Sequence, residues 1–313
     1  VLGMAPFAIG TDTGGSIRLP ASFCGCVGYK PTYGLASRSG VVAMASSCDC
    51  PGPLTRTVDD TELVLDVIAG RDRLDRTTID KNPQGYITKG TANKALKIGL
   101  IKEYMEASSD EVRRVVDTAL DKLVKGGATV TPVSIPSVEL SLPAYYIIVP
   151  AEIASNLARY DGQRFPFSFK EAKTLDESYQ KSRSLGFGKE AKRRIIIGTF
   201  VLSSGYYDAY YQKATEVRAK ITEEFKTAFK EYDLLAGPTA GITAFPIGQV
   251  QDPLEMYKTD VMTAASNLAG IPAISLPAGE ADNNLPVGLQ LMAAHNHDRE
   301  LLAAAKTAEE LFK

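Results

Sequence analysis

The chain has 313 residues, of which 44% are hydrophobic and 23% are charged, a composition typical of a globular protein with a substantial core. Its 35 lysine and arginine residues nearly balance 37 aspartate and glutamate residues, so the net charge of −2 excludes a sequence-wide basic surface for nucleic acid. No apolar run approaches the roughly 20 residues of a membrane-spanning helix, so we expect no embedding in a membrane.

Two features of the sequence bear on its compartment and redox state. The chain begins at Val1 without a leader for export, so we expect a truncated N-terminus and a protein of the cytoplasm or, in a eukaryote, of an organellar matrix. Its cysteines form two Cys-x-Cys pairs, Cys24 with Cys26 and Cys48 with Cys50. We predict free thiols and no metal; zinc is the alternative, although its structural sites favour Cys-x2-4-Cys.

The first elements in chain order surround a loop-rich region. Residues 3–56 are dense in Gly, Ser, Thr, Pro and Cys and lack a sustained helical period, which is typical of backbone shaped for a functional site. A helix is predicted to begin at Thr57 and to end at Gly70. Its predicted inward side chains are Leu63, Val64, Val67 and Ile68.

The middle of the chain predicts an α/β class. After a polar, irregular stretch at 71–95, residues 97–101 and 129–135 have the pattern of strands, and residues 109–125 have that of a helix. This order predicts a β-α-β unit with parallel strands. The inward face of the helix is predicted to contain Val112, Val115, Val116, Ala119, Leu120 and Leu123.

The remainder is predicted to be mainly helical at 142–229 and mixed afterwards. The aromatic stretch 205–211 is predicted to open a long amphipathic helix through Phe225 and Phe229. We interpret its tyrosines as core residues rather than as a ligand-binding cluster. Strands are predicted at 234–236, 273–276 and 287–292, and a last helix from about Asp298.

Residues 10–18, with the sequence Gly-Thr-Asp-Thr-Gly-Gly-Ser-Ile-Arg, are the most informative segment. Two glycines before Ser16 let the backbone approach a ligand closely and present its N–H groups to an oxyanion. The segment lacks the Gly-x4-Gly-Lys-Ser/Thr and Gly-x-Gly-x2-Gly patterns of phosphate-binding loops, and Ser16 does not stand in a Gly-x-Ser-x-Gly elbow. A plain Gly-rich turn is the alternative.

A serine nucleophile needs a base, and the only histidines of the chain are His295 and His297. Both stand in a polar turn before the last helix and are interpreted as exposed loop residues, which disfavours a Ser-His-Asp triad. Activation by a lysine is the remaining option. Arg18 either binds a substrate carboxylate or pairs with a buried acid such as Asp12 or Asp49, and we favour the pairing.

The segment 10–18 and the residues after it resemble the amidase signature. The matching positions downstream are Pro20, Phe23, Cys24, Gly25, Gly28, Lys30, Pro31, Thr32 and Gly34. The resemblance implies an α/β amidase-signature fold, a mixed β-sheet core covered by helices on both faces, in a single domain over 1–313 that lacks its N-terminal part. It also implies a Ser-cisSer-Lys mechanism, in which a neutral lysine acts through a middle serine on the nucleophile, Ser16.

By the same resemblance, the oxyanion hole consists of backbone N–H groups of Thr13, Gly14 and Gly15, together with that of Ser16. The lysine and the middle serine of the family precede this motif and correspond to no residue of this sequence. The resemblance therefore implies catalytic residues upstream of Val1.

Further stretches are similar to the glutaminase subunits of the tRNA-dependent amidotransferases. They lie at 47–59, 143–147, 156–162, 186–188, 193–194, 205–211, 237–239, 252–257, 267–270 and 285–290. In that family the glutaminase subunit hydrolyses glutamine and passes ammonia to an amidating subunit, which uses ATP and Mg²⁺ to amidate misacylated Glu-tRNA(Gln) or Asp-tRNA(Asn). The resemblance implies the amidotransferase subunits B and C as partners, the first of them being the amidating subunit. It also implies tRNA bound through the partner, and no cofactor in this subunit.

A glutamine pocket must hold an α-carboxylate and an α-ammonium group, for which an arginine and an acidic residue are suited. The resemblance gives these roles to Arg194 and Asp260, with Tyr145 lining the pocket. The alternatives are an Arg194 that only extends a basic pair with Arg193, an Asp260 on a solvated helix face, and a core Tyr145 with Tyr146 in its place.

Two rival functions stay open. A free-standing amidase of a small or aryl amide would share Ser16 and its loop but would not need the pair of Arg194 and Asp260. Alternatively, the 313 residues form a fragment that folds or binds partners without turnover. Dependence on glutamine separates the first rival from the amidotransferase.

Overall fold

The computed structural model describes residues 2–90, 95–165, 167–250, 252 and 256–313, so part of the similar stretch at 252–257 lies outside the described residues. Backbone contacts divide the chain into two compact units. The larger unit comprises Val1–Gly40, Cys48–Leu142 and Val217–Lys313, and the smaller unit comprises Val41–Ser47 and Pro143–Glu216. The expectation of a single domain over 1–313 stays a prediction.

A mixed sheet, eight-stranded within the described residues, forms the centre of the larger unit. The strands are β1 (Ala8–Thr11), β2 (Val27–Lys30), β3 (Pro51–Thr55), β4 (Lys97–Ile101), β5 (Thr129–Val133), β6 (Leu234–Pro238), β7 (Ala273–Glu280) and β8 (Pro286–Met292). Their order across the sheet is β1-β3-β2-β7-β8-β6-β4-β5. β4 pairs in parallel with β5 and β6, and the other neighbouring strands are antiparallel.

The α-helices of the described residues are α1 (Arg18–Cys24), α2 (Val58–Ile68), α3 (Lys102–Glu106), α4 (Asp110–Lys125), α5 (Ser141–Asn156), α6 (Leu175–Gly186), α7 (Lys189–Val201), α8 (Lys213–Ala228), α9 (Ala264–Ala269) and α10 (Asp298–Phe312). Short 3₁₀ segments lie at Pro136–Leu140, Leu157–Arg159 and Lys258–Asp260, and a π-helical segment lies at Tyr207–Gln212. Among these described residues, no helix is both long and apolar enough to cross a bilayer.

Helices cover both faces of the sheet, as the resemblance implied. Side chains alternate between the two faces of a strand. Along β8, Val287, Leu289 and Leu291 join a core cluster that includes residues of α4 and α10. Gln290, between them, points to the other face and accepts a hydrogen bond from Arg18 of α1. The predicted fold class, an α/β mixed sheet with helices on both faces, is therefore confirmed.

The predicted β-α-β unit is also confirmed. β4 and β5 pair in parallel from Lys97 with Thr129 onward, and α4 connects them. The Ser109 side chain caps α4 by accepting the N–H of Val112. Of the predicted inward side chains of α4 all are buried except Val115, which is half-buried.

The predicted inward face of α2 is wrong. Thr57 caps the helix as expected, but Leu63 and Val67 are 55% and 82% exposed. The helix instead buries a face that includes Glu62, whose carboxylate accepts the backbone N–H of Thr88 at 3.1 Å. Because a buried carboxylate is tolerated when it is hydrogen-bonded, this partner decided the orientation that hydrophobicity alone did not. The buried residues of α2 are Val58, Thr61, Glu62 and Leu65.

Residues 3–56 contain regular elements that the sequence pattern did not predict, namely β1, α1, β2 and β3. Gly and Pro are depleted in strands, which hid them. The glycines are needed because elements approach closely: a Cβ at Gly28 would lie 2.5 Å from that of Ala21, and one at Gly52 would lie 2.2 Å from the carbonyl oxygen of Tyr29.

In the smaller unit, the prediction that the tyrosines of 205–211 are core residues is wrong. Tyr206, Tyr207 and Tyr210 are 43%, 45% and 42% exposed. The ring of Phe200 packs on Tyr206 with a centroid distance of 4.3 Å, so part of the aromatic surface is covered by its own neighbours. The π-helical segment here precedes α8, so the predicted long helix begins only at Lys213.

Candidate functional site

Ser16 lies in the larger unit, in the loop between β1 and α1. The strand ends at Thr11 and the helix begins at Arg18. Residues 12–15 are buried, whereas Ser16 is exposed, and its hydroxyl makes no hydrogen bond to any described residue. The loop thus presents one accessible hydroxyl on a buried backbone.

A buried ion pair joins the two ends of this loop. Asp12 and Arg18 are both fully buried, with Nη2–Oδ1 at 2.9 Å and Nε–Oδ2 at 3.0 Å. The carboxylate also accepts the backbone N–H groups of Ile17 and Arg18 at 3.3 Å. Burial alone would raise the pKa of Asp12, but the charge and hydrogen bonds of Arg18 hold it below its ordinary value. The predicted pairing of Arg18 with a buried acid is confirmed, and Asp49 instead accepts the Thr13 hydroxyl at 2.8 Å.

Polar residues of the C-terminal third complete the surroundings of Arg18. Its Nη1 donates to Ser266 Oγ at 2.7 Å and to Gln290 Oε1 at 2.5 Å. Its Nη2 donates to Asn267 Oδ1 at 2.6 Å, and Asn267 in turn donates to the carbonyl oxygen of Asp12 at 2.9 Å. Every guanidinium nitrogen therefore has a protein acceptor, which fixes the loop against α9 and β8.

Sequence reasoning assigned no role to Ser266, Asn267 or Gln290. The available signal was that each stands in an otherwise apolar, buried segment. Buried polar side chains almost always have a hydrogen-bond partner, so their presence indicated a buried charge elsewhere in the chain. The sequence did not reveal that this charge was Arg18.

Four consecutive backbone N–H groups of the loop have no protein acceptor. Within the described part of the chain, those of residues 13–16 donate to no protein atom. The neighbouring groups are paired, since the N–H of Asp12 donates to the Cys50 carbonyl at 2.8 Å and that of Ile17 donates to the Asp12 carboxylate. Unpaired N–H groups on buried backbone are rare. This run is suited to bind an oxygen of a ligand, and it comprises the residues predicted for the oxyanion hole.

Gly15 cannot be replaced without strain. Its φ is +140°, and a Cβ at this position would lie 2.1 Å from the Oγ1 of Thr263. Both the backbone conformation and the close approach require glycine. The sequence prediction that the paired glycines serve close approach is thus confirmed at Gly15, with Thr263 as the neighbour.

The described residues provide no base for Ser16. Lys30 is fully buried, and burial lowers its pKa, but its ammonium donates to the Pro31 carbonyl at 3.0 Å. His295 and His297 are exposed in the turn before α10, as predicted. The absence of a partner agrees with the expectation that the family's lysine and middle serine are not among these residues.

Two of the predicted pocket residues lie in the smaller unit, Tyr145 on α5 and Arg194 on α7. Tyr145 is buried, and its ring meets that of Tyr146 edge-on at 5.0 Å. The Arg194 guanidinium lies 5.8 Å from the Tyr146 ring centroid, and its Nε donates to Glu190 at 2.8 Å. Burial alone would lower the pKa of Arg194, but Glu190 and the two tyrosines raise it overall. Tyr146, the competing candidate, is therefore the ring that carries the guanidinium.

The third predicted pocket residue, Asp260, lies in the larger unit at the end of the 3₁₀ segment Lys258–Asp260. It is half-buried, and its carbonyl oxygen accepts the N–H of Thr263 at 3.1 Å. Asp260 therefore stands one turn before the residue that contacts Gly15. Its role toward an ammonium group stays a prediction.

All four cysteines are free thiols. Cys24 is exposed, Cys26 is half-buried, and Cys48 and Cys50 are buried. The Cys50 thiol lies 3.2 Å from the carbonyl oxygen of Pro31, and burial raises its pKa to about 11. In the described ranges, no group of three or more His, Cys, Asp or Glu side chains is placed to hold a metal ion. Cys50 is thus a thiol, not a thiolate, at neutral pH.

Comparisons with known proteins agree with this geometry. The sequence model of the Amidase family matches residues 2–302. The chain is 51% identical over 310 residues to the A subunit of glutamyl-tRNA(Gln) amidotransferase from Halothermothrix orenii, covering 98% of this chain and 65% of that protein. It is 49% identical over 313 residues to the same protein from Staphylococcus epidermidis, covering 99% and 64%. The crystal structure of the Thermotoga maritima counterpart matches with a TM-score of 0.78 at 41% identity, covering 98% of this chain and 63% of that one.

An exposed serine beside unpaired backbone N–H groups is the arrangement by which enzymes of acyl transfer stabilise a tetrahedral intermediate. The chain belongs to the Amidase family. It spans less than two thirds of the length of the curated relatives that it matches.

Proposed function

We propose that this chain is the larger part of the glutaminase subunit of a tRNA-dependent amidotransferase, with Ser16 as nucleophile. The observation that carries the proposal is the exposed Ser16 hydroxyl next to the unpaired N–H groups of 13–16. The choice of glutamine as substrate is supported by the 51% identity to the A subunit of a glutamyl-tRNA(Gln) amidotransferase.

In the proposed reaction, Ser16 Oγ attacks the side-chain carboxamide carbon of glutamine. Its proton passes through a middle serine to a neutral lysine, both of which we place upstream of Val1. The carbonyl oxygen becomes negative and is bound by the N–H groups of Thr13, Gly14, Gly15 and Ser16, a type of contact worth about 3–4 kcal/mol per donor. The intermediate releases ammonia, which takes the proton back from the lysine, and leaves a γ-glutamyl ester on Ser16. Water then hydrolyses this ester to glutamate and restores the serine.

Three further residues are proposed to hold glutamine. Arg194 binds its α-carboxylate, because a planar guanidinium donates two parallel hydrogen bonds to a carboxylate. Asp260 binds the α-ammonium group, and Tyr145 lines the pocket. The position of the Arg194 guanidinium over the Tyr146 ring supports this role, since stacking keeps the plane of the fork fixed.

The remaining steps are proposed to take place on the partners, subunits B and C. The amidating subunit binds ATP and Mg²⁺ and amidates Glu-tRNA(Gln) or Asp-tRNA(Asn), with the other partner in the complex, and this chain needs no cofactor. The net charge of −2 supports contact with tRNA through the partner, because a strong basic field is lacking. We place the complex in the cytoplasm, or in an organellar matrix in a eukaryote.

The test is Ser16→Ala in the complex formed with the upstream segment and the partner subunits, assayed for amidation of Glu-tRNA(Gln) with two nitrogen donors. Glutamine-dependent amidation should fall by about 10⁴-fold or more, since no acyl-enzyme forms, while amidation from ammonium chloride should persist. Ser39→Ala, which changes another exposed loop serine, should alter neither activity.

Two results would contradict the proposal. Near-normal glutamine turnover in Ser16→Ala would refute the nucleophile, and robust turnover by the 313 residues alone would place the base within them. A wild-type protein that hydrolyses aryl amides but not glutamine would instead be a free-standing amidase.

A further inference from the structure

Thr263 contacts the nucleophile loop at two successive residues. It is fully buried, and its Oγ1 donates a hydrogen bond to the carbonyl oxygen of Gly14 at 2.6 Å. The same Oγ1 occupies the space next to Gly15, where a Cβ would come within 2.1 Å. One hydroxyl group therefore fixes the peptide unit between the two glycines that precede Ser16.

The direction of that peptide unit decides where its N–H group points. The structure contains no cis peptide bond among the described residues, so the bond between Gly14 and Gly15 is trans. In a trans peptide the C=O and N–H groups point to opposite sides of the chain. Because Thr263 binds the Gly14 carbonyl on one side, the N–H of Gly15 is directed to the other side, away from Thr263. That N–H is one of the unpaired groups of 13–16.

A glycine pair would otherwise leave this peptide unit free to rotate, since glycine populates both signs of φ. The Thr263 hydroxyl has one proton, and its distance of 2.6 Å to the Gly14 oxygen is shorter than its 3.2 Å to the carbonyl oxygen of Asp260. The bond to Gly14 is thus the one that uses the proton. Rotation of the peptide unit would break it.

Thr263 is itself held by the buried polar network. Its carbonyl oxygen accepts hydrogen bonds from Arg18 Nη2 at 3.2 Å and from Ser266 Oγ at 2.9 Å. The carbonyl oxygen of Met262 accepts Gln290 Nε2 at 2.9 Å. The hydroxyl is therefore presented from a backbone that the network fixes on both residues.

We propose that Thr263 is a positioning residue that orients the Gly15 N–H toward the oxygen that becomes negative during acyl transfer. The proposal rests on the proposed role of Ser16, but it holds for any amide or ester that Ser16 attacks. A donor directed in advance stabilises the transition state without reorganisation. Loss of the hydroxyl should lower kcat and leave ground-state binding of the substrate unchanged.

The experiment compares Thr263→Val, which keeps the shape and removes the hydroxyl, with Thr263→Ser, which keeps the hydroxyl, in the complete complex. Thr263→Val should lower kcat for glutamine about 10- to 100-fold with KM within about twofold, and Thr263→Ser should stay within about threefold of wild type. Thr239→Val is the matched control, because Thr239 is also fully buried and bonds Ser275 Oγ at 2.8 Å, away from the loop.

A kcat for Thr263→Val equal to that of Thr239→Val would overturn the proposal, and so would a rise in KM at unchanged kcat or a failure of Thr263→Ser to restore the rate. If Thr263→Val folds poorly, Thr263→Ala removes the hydroxyl without added bulk and is judged by the same split. Hydrolysis of p-nitrophenyl acetate by the same variants separates the two proposals. A wild type without glutaminase activity refutes the substrate, whereas an ester hydrolysis that is insensitive to Thr263→Val refutes the positioning role.

Discussion

The loop around Ser16 and the surroundings of Arg194 are held in different ways. In the loop, Asp12 and Arg18 are fully buried, and the guanidinium is surrounded by acceptors from distant parts of the sequence. Around Arg194 the contacts come from Glu190 in the same helix and from a tyrosine ring, and the side chain is 18% exposed. The first arrangement is complete within the fold, whereas the second presents a charged group at the surface. One arginine thus serves the scaffold, and the other is suited to a ligand.

The largest effect on stability is expected at Arg18. Arg18→Met leaves the Asp12 carboxylate buried without a countercharge, which costs about 3–5 kcal/mol in the free energy of unfolding. Arg71→Met is the control, because it breaks an ion pair whose side chains are 69% and 76% exposed, and it should leave the urea unfolding midpoint unchanged. Equal midpoints for the two variants would show that the buried pair does not hold the loop.

The pH dependence sharpens the same prediction. The pKa of Asp12 in the folded protein lies below its unfolded value, so the stabilisation from the pair is complete above about pH 4. It is lost as the pH falls through the lowered pKa, because protonation removes the charge that Arg18 stabilises. The difference between wild type and Arg18→Met should therefore narrow below about pH 4. A difference that stays constant through this range would contradict the assignment to Asp12.

Gly15 should tolerate a side chain far less well than a glycine with the same sign of φ elsewhere. Gly15→Ala combines a φ of +140° with a collision against Thr263 and should cost about 2–4 kcal/mol, together with glutaminase activity. Gly40 has a φ of +84° but no atom within 4 Å of its Cβ position, so Gly40→Ala should cost only about 1 kcal/mol. Thermal unfolding of both variants measures the difference, and similar losses would mean that close packing at Gly15 is unimportant.

The smallest effect on the fold, but a specific one on activity, is expected at Arg194. Arg194→Lys keeps the charge and removes the two-donor fork, so kcat/KM for glutamine should fall about 10- to 100-fold in the complete complex. Amidation from ammonium chloride should be spared. Arg193→Lys is the control, since Arg193 also bonds Glu190 and is 44% exposed. Equal loss with both nitrogen donors would assign Arg194 to the scaffold.

The elements predicted correctly from the sequence were those with local signals. α4 has a serine cap and an apolar face with helical spacing, and β4 and β5 are short apolar segments on either side of it. The Ser16 loop was predicted from its glycines, and its unpaired N–H groups agree with that prediction. In each case the determining residues are close together in the chain.

The features that the sequence did not predict depend on distant partners. Arg18 bonds Ser266, Asn267 and Gln290, about 250 residues away, and no periodic pattern connects these positions. The buried face of α2 depends on the bond between Glu62 and the backbone of Thr88. Strands β2 and β3 were hidden by glycines and prolines whose small size or lack of an N–H is required only once their neighbours are in place.

The most direct test of the account is to trap the acyl-enzyme on the complete complex. Isotope-labelled glutamine is mixed with the enzyme, the reaction is stopped with acid within one turnover, and the peptides are sequenced by mass spectrometry. We predict a γ-glutamyl ester on the peptide that contains Ser16, sensitive to mild base and absent from Ser16→Ala. A labelled ester on another residue, or release of labelled glutamate in the first turnover without any ester at Ser16, would contradict the assignment of Ser16 as the nucleophile.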